Sequence, residues 1–124
     1  MALVFDIETV GEEWESLDAT TQENLSWYLK ESARTEEEFA YELKEVKEGL
    51  GLSPLTGQIV AIGVLDTESK RGAVYFCAPG AEIAEREVDG IKYKPMEEKE
   101  QLEQFWLVAK SVHEFVSFNG RGFD

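Results

Sequence analysis

Few residues of this chain are of the kinds that build disulfides, zinc clusters or membrane spans. Its single cysteine, Cys77, excludes an intrachain disulfide and any zinc site made from several cysteines. A reduced, cytoplasmic setting is expected. The opening run Met1 to Phe5 stops at Asp6, too soon for the apolar core of a signal peptide. Nowhere do about 18 apolar residues follow one another, so no membrane contact is expected. Basic residues are scarce, 12 against 26 acidic ones, for a net charge of −14. That balance does not announce the basic patch of a simple nucleic-acid binder. It excludes no enzyme that holds a polyanion through divalent metal ions.

What is present is globular. A hydrophobic content of 43% over 124 residues is enough for one domain with a real core. Most of the acidity lies between Glu12 and Glu48 and between Glu82 and Glu103, where it reads as solvated helix and hairpin surface.

The pattern along the chain predicts a short strand over Ala2 to Phe5, apolar without a break and therefore buried on both faces. Residues 20 to 50 read as a helical insertion. Thr21 is placed to cap a first helix with Leu25, Tyr28 and Leu29 on one face. Thr35 and Glu38 form a capping box for a second, with Phe39, Leu43 and Val46 inward. Gly49 and Gly51 end it. Strands are expected over Gln58 to Leu65 and Ala73 to Cys77, joined as a hairpin. Asp89-Gly90 marks a further small β excursion. Met96 to Lys110 is a helix with Leu102, Phe105, Trp106 and Ala109 on its packed face, and Val112 to Phe118 is a last strand.

Asp6 and Glu8 stand two apart on a strand, so both project to one side. Two carboxylates held close together repel, and a hard divalent cation relieves that repulsion. Taken alone, in a chain this acidic, the pair fits an acidic, solvent-exposed strand end better than a metal site.

The flanking sequence bears on that choice. Phe5-Asp6-Ile7-Glu8-Thr9 resembles the first motif of the DEDD-superfamily 3′–5′ exonucleases, and Phe118-Asn119-Gly120-Arg121-Gly122-Phe123-Asp124 resembles their second. Ser53 to Gly63 also looks like the segment between these motifs. The likeness is to the proofreading domains of family-B DNA polymerases and their stand-alone relatives. It implies an α/β, ribonuclease H-like mixed sheet flanked by helices over residues 1–124, incomplete at the C-terminus. It further implies Asp6, Glu8 and Asp124 as catalytic metal ligands, with Thr9, Asn119 and Phe123 beside the substrate's terminal nucleotide and Arg121 near a phosphate. Two Mg2+ or Mn2+ ions would serve a two-metal hydrolysis, and the partner would be a nucleic-acid 3′ end, single-stranded DNA by preference.

The family's third motif follows the second and is not in this sequence. Impaired activity, and self-association through the last strand or the surface a further helix would cover, are therefore expected. His113 precedes the second motif and reads as structural, and Cys77 as a small buried residue. Two other readings stand beside the nuclease. A haloacid dehalogenase-type phosphatase would want aspartate where Glu8 stands. A non-catalytic interaction module could keep a degenerate nuclease fold.

Overall fold

The computed structural model describes residues 1–123. The opening apolar run continues through the acidic pair as one ten-residue strand, β1 (Ala2–Gly11). Alternation of side chains explains how. Leu3 is buried, Phe5 and Ile7 follow it on the same face, and Asp6 and Glu8 take the exposed face between them. The expectation of burial on both faces is corrected here, because only Leu3 of this strand is fully enclosed.

Residues 1–9 and 59–123 belong to one compact unit, and residues 10–58 to another. The first unit is built on the sheet. β2 (Gly57–Asp66) turns back as β3 (Gly72–Phe76), antiparallel, with Ile62 opposite Tyr75 and Val64 opposite Ala73. Asp89 and Gly90 both have positive φ, as a two-residue hairpin requires, and they join β4 (Arg86–Val88) to β5 (Ile91–Pro95). This hairpin is no separate excursion: β5 pairs in parallel with β3 and extends the main sheet.

The chain then passes through helix α3 (Glu98–Ala109) to β6 (Glu114–Val116), which pairs in parallel with β1. The result is a six-stranded mixed sheet in the order β4-β5-β3-β2-β1-β6, in a chain of α/β class. Its core is Leu3, Ile62, Val64, Ala73, Tyr75 and Val112, with Leu102, Phe105 and Val108 of α3 packed against it.

Four details differ from the pattern reading. β6 spans three residues rather than Val112 to Phe118, because it lies at an edge and has only β1 to pair with. Phe118 beyond it is almost wholly exposed. Trp106 is 59% exposed instead of joining the packed face of α3. The residue that pattern reading passed over, Gln101, is fully buried. Its amide nitrogen donates to the carbonyls of Val60 at 3.3 Å and Met96 at 3.2 Å and to Cys77 Sγ at 3.1 Å. Cys77 is half-buried, not enclosed.

The second unit carries α1 (Ala19–Ser32) and α2 (Glu36–Glu48). The cap of α1 is Asp18, not Thr21: the Thr21 N–H donates to the Asp18 carboxylate at 2.7 Å. That bond holds the Asp18 carboxyl below its ordinary range. Thr35 caps α2 as its sequence announces, accepting from the Glu38 N–H at 3.0 Å. The Glu38 carboxylate reaches back to the N–H of Arg34 at 3.1 Å, one residue before the usual capping-box target. Gly11 and Gly51 meet back to back, and a Cβ on Gly51 would sit 2.9 Å from the Gly11 nitrogen. Only glycine fits there. No helix among the described residues is long and apolar enough to cross a membrane.

Candidate metal and nucleic-acid site

The outward face of β1 presents Asp6 and Glu8 side by side, both exposed. Their mounting is rigid. Phe5 packs its ring 5.4 Å from that of Phe105 and 6.3 Å from that of Phe115, and Ile7 packs against the same core. A carboxylate between two such anchors cannot swing away with the backbone.

The parallel pairing of β6 with β1 carries the rest of the geometry. Ala2 faces Glu114, Leu3 faces Phe115 and Val4 faces Val116. Both strands therefore run toward the same end of the sheet, and residues 117–123 leave β6 at the end where Asp6 and Glu8 lie. There the chain makes a tight turn, in which the Asn119 carbonyl accepts from the N–H groups of Gly122 at 3.0 Å and Phe123 at 2.8 Å. Neither Gly120 nor Gly122 has positive φ. Gly122 is small for another reason: a Cβ there would approach the Asn119 side-chain oxygen to 2.9 Å.

The residues singled out in the sequence are placed apart. Asp6 and Glu8 share a face. Asn119 and Arg121 are exposed and Phe123 half-buried, all within the turn that follows β6. Thr9 lies on β1 but on the opposite side from Glu8, half-buried. Asp124 lies outside the described residues. His113 is exposed on the approach to β6.

Both members of the pair are oxygen donors, which suits magnesium or manganese in kind. No group of three or more His, Cys, Asp or Glu side chains placed to hold a metal ion occurs among the described residues. The described part of the chain thus supplies two carboxylates toward such a site.

On the reverse face of β1, Phe5 and Ile7 join Ile59, Leu102, Phe105 and Phe115 around an apolar cleft of about 350 Å³. Its lining offers no charged group, so it is not a place for the chemistry of the acidic pair. Comparison with known proteins returns no match, neither to a protein-family model nor to a curated sequence.

Proposed function

We propose that the chain is part of a metal-dependent 3′–5′ exonuclease domain with a ribonuclease H-like sheet, and that Asp6 and Glu8 are two of its metal ligands. The observation that supports this best is the parallel β1–β6 pairing. It brings two sequence segments more than 100 residues apart, each resembling an exonuclease motif, to one end of the sheet. A random acidic strand end has no reason to meet the second segment there.

In this reading the carboxylates of Asp6 and Glu8 hold divalent cations, with Asp124 as the third acid. Bound ions supply an activated water and neutralise the charge that develops on the phosphate. The protein's own part is positional. Phe5 and Ile7 fix the acids, and the Asn119–Phe123 turn offers an amide side chain and Arg121 toward the end of the nucleic acid. Counter-charge at the site explains how a chain of net charge −14 can take a polyanion.

The test is a 3′-labelled single-stranded DNA oligonucleotide incubated with Mn2+. The expected result is slow, metal-dependent release of the terminal nucleotide, abolished by Asp6→Ala. Release that Asp6→Ala leaves unchanged, or release that does not depend on the metal, contradicts the proposal.

A further inference from the structure

A second concavity, far along the sheet from the acidic pair, has features of a binding site that the nuclease reading does not use. It is a groove of about 300 Å³ near the start of β1 and the end of α3. Its wall is apolar, with Leu3, Val64, Ala73 and Val108. Set into that wall is Tyr75, only 4% exposed. Its hydroxyl makes no hydrogen bond among the described residues. The hydroxyl oxygen itself still touches solvent in the groove, where a ligand's acceptor can take the place of water. Burial also pushes the Tyr75 pKa upward, so the group stays a neutral donor.

Two cations complete the groove. Lys92 stands opposite Ala73 in the parallel β3–β5 pairing and therefore on the same face as Tyr75. The two are diagonal neighbours, and both side chains are long enough to converge on one small group. Lys92 has no ion pair among the described residues. Arg71 lines the groove with one guanidinium nitrogen engaged by Glu87 at 3.3 Å. The acid on the rim, Asp66, is turned onto its own loop. One oxygen accepts from the Glu68 N–H at 2.9 Å and the other from the Ser69 hydroxyl at 2.7 Å.

We propose that this groove binds a small amphiphilic carboxylate: an apolar tail on the Leu3–Val108 wall and a carboxylate that accepts from the Tyr75 hydroxyl and pairs with Lys92. Ionic and apolar demands are both met only by such a ligand. A purely apolar molecule would leave the phenol unbonded, and a bare inorganic anion would leave the wall wet. A pocket of this size suits a body of roughly ten heavy atoms.

Octanoate is the probe, titrated into the whole chain and followed by amide chemical shifts. Saturable binding is expected, with a Kd on the order of 0.1–1 mM for so small a ligand. The shifts should centre on Ala73, Gly90 and Lys92. Octan-1-ol should bind about tenfold more weakly, Tyr75→Phe should weaken octanoate by about five- to tenfold, and Lys92→Glu should abolish saturation. Tyr75→Phe removes only an unbonded hydroxyl, so its melting temperature should match the parent and keep the comparison fair. Three results would overturn the proposal. One is no saturation up to about 10 mM, well above the expected Kd. Another is equal affinity for the alcohol or in Tyr75→Phe, which would leave the phenol bound to water alone. The third is shifts centred on Phe5 and Phe105.

Discussion

At the scale of single residues, stability rests on a few side chains whose partners are unambiguous. Gln101 bridges β2, the start of α3 and Cys77 through one amide nitrogen, while its oxygen is buried with no partner among the described residues. Gln101→Ala leaves a cavity and removes one donor each from the Met96 carbonyl and the Val60 carbonyl, the latter keeping the Cys77 N–H at 2.8 Å. It should cost about 2–4 kcal/mol in a denaturant titration. An unchanged midpoint would show the bridge to be idle. The pH response also belongs at this scale. Asp66 is held below its ordinary value of 3.8 by Ser69 and the Glu68 N–H, and Asp18 by Thr21. Both bind their proton less readily when folded, so their contribution is present above pH 3.8 and is lost as pH falls through the lowered values. Tyr75 is raised above 10 by burial, so its contribution holds below pH 10 and fades as pH climbs through its folded value. Melting temperature followed across pH should therefore be flat near neutrality and fall at both ends. A steady rise above pH 10 would contradict the assignment of Tyr75.

At the scale of elements, much of the fold was legible in the sequence. Thr35 with Glu38, the Asp89-Gly90 turn and the apolar run from Ala73 to Phe76 each carry a local signal strong enough to survive in the tertiary structure. Thr35→Ala should cost about 1 kcal/mol in the stability of the α1–α2 unit. Gly51→Ala should cost more, about 1–3 kcal/mol, because backbone faces backbone across the Gly11 contact and one of them must move. Amide exchange in α1 and α2 reads out both. Less legible was what depends on neighbours. β6 is short because an edge strand has a single partner, which no window of sequence states. Gln101 looks like a surface residue until Val60 and Met96 are seen to meet it. The joining of β4-β5 to the main sheet is a long-range parallel pairing, and such pairings leave no local mark. For the candidate site, Asp6 and Glu8 were legible as a pair from their spacing. That residues 119–123 belong at the same end of the sheet was implied only by the family resemblance; no local pattern states it, since it depends on the pairing of β1 with β6.

At the scale of the whole molecule, two features oppose one another. Phe115, Val116 and Trp106 are all more than two-fifths exposed beside an apolar cleft and an edge strand. Surfaces of this kind favour association. A net charge of −14 on each copy resists it. We expect association to be salt-dependent: monomer at low ionic strength and dimer as screening grows, with Phe115→Glu monomeric throughout. Light scattering at 20 mM and 500 mM salt, well below and above ordinary ionic strength, decides this. A mass independent of both salt and Phe115→Glu would contradict it.

The central claim concerns Asp6 and Glu8, and metal binding tests it without reliance on turnover. Mn2+ titrated into the chain should broaden the amide signals of residues 5–9 first, together with those of 117–123 at the same end of the sheet, and Asp6→Asn with Glu8→Gln should remove the effect. Uniform broadening over the acidic α1–α2 unit, or broadening at residues 5–9 that survives both substitutions, would contradict a metal site on β1.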